Sequence, residues 1–269
     1  LTEKEECFSA KAEQNPSFES WSNAKTKKNA RNMLLKLLLS SREEVTALNK
    51  KFKNSELFTV TNEYLLPLFE GKEYPWQILP EIKNYIQTLL EHPPEGFSFL
   101  CEGVLVGKNV TVAQTATILP PAVIGTGTEI RPNAYLRGNV ITGEDCTLGN
   151  ASEFKNCVLL NHVQAPHYNY VGDSILGNHA HLGAGAICSN LKADKTNVVI
   201  HADTDMETGL RKIGAILADG ADIGCGCVLN PGTVVGKNTR VYPLTSLRGV
   251  IPKNKIVKSM ENITEQFST

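Results

Sequence analysis

The chain has no appreciable excess of charge of either sign. Of its 269 residues, 27 are Lys or Arg and 28 are Asp or Glu, for a formal charge of −1. This balance removes the basic surplus that draws dedicated nucleic-acid and anionic-membrane binders to their partners, so any anion site has to be local. Long apolar runs are missing as well. The most apolar stretch, MLLKLLL at 33–39, is interrupted by Lys36 and falls far short of the ~20 residues that span a bilayer. No charged-then-apolar signal segment opens the chain, so a cytoplasmic protein is expected, with no membrane or nucleic-acid partner. CxxC spacing is absent too. The 7 cysteines are odd in number and scattered, which argues against a disulfide framework or a structural zinc site and for small core residues in a reducing compartment.

What the chain does have is 41% hydrophobic residues arranged on a beat. Counted in sixes from Val106, the positions are Val106, Val112, Ile118, Ile124, Ile130, Leu136, Thr142, Leu148, Phe154 and Leu160, all large and apolar except Thr142. Leu217, Ile223, Leu229, Val235, Val241 and Leu247 repeat the pattern. Small or slim residues such as Ala116, Ala122, Ala134 and Cys146 recur four places later, and glycines such as Gly125, Gly149 and Gly224 often follow the apolar position, suiting a backbone that turns every six residues. A β-sandwich would show period two with irregular turns. Hexads instead predict a mainly β fold, a parallel β-helix around a stacked aliphatic interior, preceded by an α-helical N-terminal region.

The expected organisation is a helical region over 1–95, a solenoid over 96–258 with a protruding loop at about 188–212, and a tail or short closing helix over 259–269. Ser41 and Glu44 form a candidate capping box. Ile82, Tyr85, Ile86, Leu89 and Leu90 make one apolar helix face that His92, Pro93 and Pro94 terminate.

The beat stops in QAPHYNYVGDS, residues 164–174, where phase is lost between Leu160 and Leu176. Long interruptions of a regular scaffold are commonly functional. Coils of three hexads would stack Arg137 over Lys155, two cations that repel unless an anion lies between them or acidic neighbours neutralise them, a candidate phosphate clamp. Glu153 would lie on the same side of its strand as Lys155 and reach toward His167, fixing its tautomer as a general base requires.

Together EFKN (153–156), APHYNYVGDS (165–174), LGAGAICSNLKAD (182–194) and TGLRKIGA (208–215) resemble the acetyltransferase domain of the bifunctional enzymes that make UDP-N-acetylglucosamine, particularly the archaeal-type sugar-1-phosphate nucleotidylyltransferase/acetyltransferases. The resemblance covers roughly residues 100–258. It implies the left hand of the hexapeptide-repeat β-helix, a homotrimer with shared active sites, and acetyl transfer from acetyl-CoA to glucosamine 1-phosphate without metal. By motif, His167 is then the catalytic base and Glu153 its support. Arg137, Lys155 and Tyr170 hold the sugar phosphate, Asn190 lies near the acetyl group, and Lys212 reaches the substrate from the loop. Coenzyme A falls near Ala184, Gly185 and Cys225. Lys237, Arg240, Arg248 and Lys253 are available to its phosphates, and the Gly183–Gly185 N–H groups or Asn190 would serve the oxyanion.

Where the bacterial enzymes have an asparagine that touches the sugar, this chain has His181, which opens the acceptor to other amino-sugar 1-phosphates such as galactosamine 1-phosphate. Residues 1–95 carry no GxGTRM-like motif, so no uridyl transfer is expected. Two other classes compete for the same solenoid. In a γ-type carbonic anhydrase, His179, His181 and either His162 or His167 would bind metal. A noncatalytic scaffold would keep the fold alone.

Overall fold

The computed structural model describes residues 52–202 and 204–265; the capping box at Ser41 and Glu44 lies outside them. Short parallel strands wind into a solenoid with three faces. The first face stacks eight strands: Val104–Val106, Ala122–Ile124, Val140–Thr142, the ends of Glu153–Leu159 and Tyr170–Leu176, then Ala215–Leu217, Thr233–Val235 and Val250–Ile251. A second face runs from Thr111–Val112 through Thr147–Asn150, Gln164–His167 and His181–Leu182 to Lys255–Ser259, and a third from Thr117–Leu119 through Tyr135–Arg137 to Ser246–Leu247. Ile124, Ile130, Leu136, Leu148, Phe154, Leu182, Ile223 and Leu229 all point inward and stack into one buried column. Each such aliphatic contributes roughly 1.5 to 3 kcal/mol, so the column substitutes for a single large core.

The glycines after the apolar positions serve a purpose other than turning. Gly125 and Gly149 keep ordinary negative-φ backbone, but a Cβ on Gly125 would fall on the Gly143 carbonyl, and one on Gly149 on the Pro166 carbonyl. Close approach of successive coils, rather than positive φ, excludes a side chain there.

Register shows where the beat slips. Val104 pairs with Ala122 and Ala122 with Val140, eighteen apart, whereas Val140 pairs with Cys157 and Cys157 with Ser174, only seventeen apart. On the third face Leu136 still pairs with Phe154, so the first missing residue lies between Phe154 and Cys157, upstream of the expected interruption. Strands Glu153–Leu159 and Tyr170–Leu176 each run continuously around the corner from third face to first, and Asn156 and Asp173 turn it with φ 48°. Asn and Asp tolerate this left-handed region better than most residues. Leu159 therefore continues the interior column, while Leu160 is buried on the outside. At the same corner one coil later the pairing Ile175–Ile216 spans forty-one residues. The wall is left after Cys188 and rejoined at Ala215, and the excursion contains an antiparallel pair, Val199–Ile200 with Met206–Glu207.

Unlike the other two faces, the first is apolar on both sides. Leu105, Val123, Ile141, Val158, Ile175, Ile216 and Val234 point outward yet are buried. They are covered by α1 (Asn54–Leu57), α2 (Leu66–Phe69), a 3₁₀ turn (Pro75–Gln77) and α3 (Ile82–Glu91), together with Val198, Ile200 and Ile213 of the excursion. The apolar face expected of α3 is there: Ile82, Ile86 and Leu89 are buried, and the helix ends at His92. Polar tethers fix the cover, among them Tyr64 Oη donating to the Thr142 carbonyl at 2.9 Å and the Thr59 N–H to Asp219 Oδ2 at 2.9 Å.

Both ends of the solenoid are finished by antiparallel strands. Ser98–Cys101 covers the edge of Val104–Val106 at the first coil. At the last, Lys255–Ser259 pairs with Asn262–Glu265, so the expected short helix is a hairpin, consistent with the β-branched Ile256, Val257, Ile263 and Thr264. Among the described residues, no helix is long and apolar enough to cross a membrane.

Candidate active site

The third-to-first corner, where two coils are shortened and a third opens into the excursion, gathers the polar residues singled out by the sequence. Asp173 is at its centre and is buried. Its carboxylate accepts from Asn190 Nδ2 at 2.5 Å, Asn156 Nδ2 at 2.9 Å and Lys155 Nζ at 3.3 Å. Asn190 Nδ2 also donates to Tyr170 Oη at 3.2 Å. Gly172 makes room for this, since a Cβ there would lie 2.6 Å from Tyr170 Oη and 2.8 Å from Asn190 Nδ2. Backbone bonds sew the returning excursion to the same corner: the Gly214 N–H donates to the Asp173 carbonyl at 2.7 Å and the Ile213 N–H to the Asn190 carbonyl at 3.1 Å.

Arg137 and Lys155 occupy successive coils in the expected register, yet each has its own carboxylate. Arg137 Nη1 donates to Glu153 Oε1 at 2.6 Å, and Lys155 is paired with Asp173. Acidic neighbours thus neutralise the two cations, and the formal charge of the four side chains cancels. The bond to Glu153 raises the Arg137 pKa, and burial, followed by the charges of Glu153 and Asp173, raises that of the Tyr170 phenol, which stays protonated.

The expected contact between Glu153 and His167 is not made within the chain. A seventeen-residue coil brings Tyr170 beside Glu153, and His167 pairs with Asn150 across the second-to-third corner. His167 is exposed, and its ring nitrogens meet no hydrogen-bonding partner among the described residues. Its backbone is fixed instead: its N–H donates to Asn169 Oδ1 at 3.1 Å and its carbonyl accepts from the Gly185 N–H at 3.0 Å. Buried Asn169 is held in turn by Nδ2 donating to the Gly183 carbonyl at 2.8 Å.

The remaining candidates lie elsewhere. His181 is on the second face, with Nδ1 2.8 Å from Asp222 Oδ1. The Gly183 and Gly185 N–H groups are spent on the Ile223 and His167 carbonyls, so neither is free for an oxyanion; the exposed Ala184 N–H donates to none of the described residues. Cys225 is exposed. Lys237 is paired with Asp219 at 3.0 Å; Arg240 lies on the second face and Arg248 follows the third-face strand Ser246–Leu247. Among the described residues no three His, Cys, Asp or Glu side chains gather to hold a metal ion. The His179 ring stacks on that of His162 at 4.6 Å, and His181 has Asp222.

Beside Asp173 opens a cavity of about 420 Å³ lined by Leu79 and Pro80 of the cover, Asn156 and Asp173 of the corner, and Leu210, Arg211 and Lys212 of the excursion. Sequence reasoning assigned no role to Asp173, Asn156 or Arg211. Asp173 did carry a signal: it lies eighteen residues after Lys155, as Lys155 lies eighteen after Arg137.

The family profile described as GMPPB C-terminal domain matches residues 118–264. Among curated proteins, the bifunctional protein GlmU of Methanococcus vannielii is 31% identical over 214 residues, 77% of this chain and 51% of that protein. The bifunctional sugar-1-phosphate nucleotidylyltransferase/acetyltransferase of Sulfurisphaera tokodaii is 32% identical over 151 residues, 51% of this chain and 38% of that protein. The chain thus spans about half the length, or less, of these relatives. Among solved structures, a point mutant of AntD, an N-acyltransferase from Bacillus cereus, overlays 65% of this chain and 91% of its own at 15% identity, with a TM-score of 0.35.

Proposed function

The chain belongs to the GMPPB C-terminal domain family, and from that premise we propose that it is an acetyl-CoA-dependent N-acetyltransferase acting on an amino-sugar 1-phosphate, glucosamine 1-phosphate first, in nucleotide-sugar synthesis. The names of its curated relatives support this class of reaction. The single observation that carries the reading is the Lys155–Asp173–Asn190–Tyr170 network on the shortened corner, three residues along the chain from an exposed histidine with a fixed backbone.

In this reading His167 is the catalytic base. An ammonium has no lone pair, so it must lose a proton before or during attack, and an imidazole with its ring nitrogens unpartnered among the described residues is suited to take it. The amine nitrogen attacks the thioester carbonyl and the N–C bond forms. His167 receives the amine proton, the C–S bond breaks, and coenzyme A leaves as a thiolate that recovers the proton. The thioester is already activated, so no covalent enzyme intermediate is needed. The Ala184 N–H, free of the described residues, is available to the developing oxyanion. Tyr170, protonated, presents its hydroxyl as a hydrogen-bond donor to the acceptor and is positioned by Asn190, whose amide donates to Tyr170 Oη and to Asp173, while Glu153 and Arg137 set the edge of the site.

The chain acts as a homotrimer in this proposal. Second-face residues His181, Gly185 and Cys225 then meet a neighbour's third face, so that coenzyme A lies in the groove between subunits and His181 approaches the neighbour's acceptor. The test follows coenzyme A thiol release from acetyl-CoA with glucosamine 1-phosphate and galactosamine 1-phosphate. His167→Ala is expected to lower the rate by about 10² to 10⁴, the usual range for a general base. An unchanged rate removes the mechanism, and no release with any amino-sugar 1-phosphate removes the activity.

A further inference from the structure

Among the described residues, the two most exposed large apolar or aromatic side chains stand on one corner of the solenoid. Leu244 is 84% exposed and Tyr168 62%. Both turn the second-to-third corner with positive φ, 60° and 53°, a region that a branched or aromatic residue enters only under strain. Between them in the stack the same turn is made by Gly185 and Gly226, with φ 72° and 67°. Backbone bonds join the four levels: the Gly185 N–H donates to the His167 carbonyl at 3.0 Å, Gly226 to Ala184 at 2.8 Å and Leu244 to Cys225 at 2.9 Å. At the ~4.8 Å strand spacing, Tyr168 and Leu244 are three levels, about 14 Å, apart. Gly185 is bare: apart from its chain neighbours, nothing lies nearer than 4.0 Å to the place of a Cβ, whereas Leu244 Cδ2 leans to within 2.8 Å of that place on Gly226. The corner is a notch with two glycines on its floor and a bulky wall at each end. Glycine makes this turn without strain, so turning does not account for tyrosine and leucine here, and neither does packing, since both side chains face solvent.

The notch has a direction. At the Tyr168 end, His167, the proposed base, is the preceding residue, and one level on is the exposed Ala184, whose N–H donates to none of the described residues. Exposed Cys225 and Leu244 lie toward the other end. A thioester with its carbonyl oxygen at the Ala184 N–H and its sulfur leading toward Cys225 aims its acyl chain at the Tyr168 ring. We infer that Tyr168 is the acyl-length wall of the coenzyme A thioester site, leaving room for an acetyl group and excluding longer chains, and that Leu244 closes the opposite end against the pantetheine arm. The inference rests on the acetyltransferase reading for the presence of a coenzyme A thioester, and adds to it the residue that restricts the acyl group. A ring with two side-chain torsions on a corner bonded to the coil before it, the Tyr168 N–H to the Asn150 carbonyl at 2.9 Å, yields little to an added methylene.

The experiment measures binding of coenzyme A, acetyl-CoA and butyryl-CoA to the full chain by calorimetry with no acceptor present, so that it stands apart from any test of acetyl transfer. Wild-type chain is expected to bind coenzyme A and acetyl-CoA, and to bind butyryl-CoA more weakly than acetyl-CoA by about tenfold or more. Tyr168→Ala and Tyr168→Gly should bring butyryl-CoA to within about threefold of acetyl-CoA, while Tyr168→Phe, which keeps the ring, holds the wild-type ratio. Phe99→Ala, which removes an exposed ring from the first coil, should also leave the ratio unchanged. Tyr168→Gly relieves the positive φ and should melt no lower than wild type, which separates the wall from any role in stability. Light scattering records the mass of each variant. Three results overturn the inference: no binding of either thioester by the wild type, a butyryl-to-acetyl ratio within about twofold of wild type in both Tyr168→Ala and Tyr168→Gly, or an equal loss of all three ligands together with a change in mass, which gives the ring to a contact between subunits. If the discrimination behaves as expected but no amino-sugar 1-phosphate is acetylated, the acyl wall stands and the proposed acceptor falls.

Discussion

Replacing Asp173 by Asn isolates the group on which the corner turns. The substitution preserves volume, but one carboxylate oxygen becomes an NH₂ that faces donors. Asn190 at 2.5 Å, Asn156 at 2.9 Å and Lys155 at 3.3 Å all need an acceptor there, so at least one of them is left without. A hydrogen bond to a charged group is worth about 1.5–3 kcal/mol, and breaking a fully buried ion pair costs about 3–5 kcal/mol. The Lys155 side chain is 25% exposed and keeps some water, which places the pair below that range. The combined cost is then about 2–4 kcal/mol, allowing for the non-additivity of bonds that share one acceptor. For a domain of this length that lowers Tm by roughly 5 to 15 °C. Thermal and urea unfolding of the full chain measure it. Adding Lys155→Met to Asp173→Asn should recover part of the loss by removing the orphaned cation. Arg137→Ala, which opens an exposed pair, should leave the midpoint in place. A Tm for Asp173→Asn within about 1 °C of wild type would refute the reasoning, since a buried acceptor of three donors cannot be dispensable.

Gly172→Ala should damage the site more than the fold: its Cβ would push Tyr170 Oη and Asn190 Nδ2 from positions 2.6 and 2.8 Å away, so acceptor KM should rise about tenfold or more while KM for acetyl-CoA holds. Cysteine labelling at pH 8, located by peptide mass, should mark Cys101, which is exposed, and spare Cys146, Cys157 and Cys188. Burial pushes the Cys188 thiol up to about 12, so it stays protonated at pH 8 and becomes reactive only as the pH approaches that value or the solenoid opens. Rapid labelling of Cys188 in the native chain would contradict the dry interior.

The solenoid was legible because its cause is local and repeated. A coil that must bury one side chain on each of three faces writes an apolar residue every sixth place, and Ile124, Ile130 and Leu136 stack as that spacing requires. The slips were not legible in place. Leu159 and Leu160 are both apolar and both buried, one inside and one under the helical cover, so hydrophobicity cannot show which of them keeps the beat. The same ambiguity hid the role of the cover: Val123, Ile141 and Val158 adjoin inward-pointing residues in the chain, and their apolarity alone does not show that they face outward beneath the cover. At the site, stacking by eighteen correctly put Lys155 one coil beyond Arg137. The expected Glu153–His167 contact ignored that spacing: His167 is too few residues on for a full coil, so it pairs with Asn150 while Tyr170 comes beside Glu153. Asp173 and Arg211 went unassigned for a physical reason as well. Asp173 keeps the eighteen-residue spacing from Lys155 but, in a turn, reads as a turn former, and an arginine in a loop has no periodic signature; only the corner that brings the excursion against the wall gives them a common address.

The position of the acceptor tests all of this together. In crystals of the full chain grown with glucosamine 1-phosphate and coenzyme A, the acceptor is expected against Tyr170, with the amine nitrogen toward a copy of His167. An acceptor remote from Tyr170, or an amine far from every copy of His167, would contradict it.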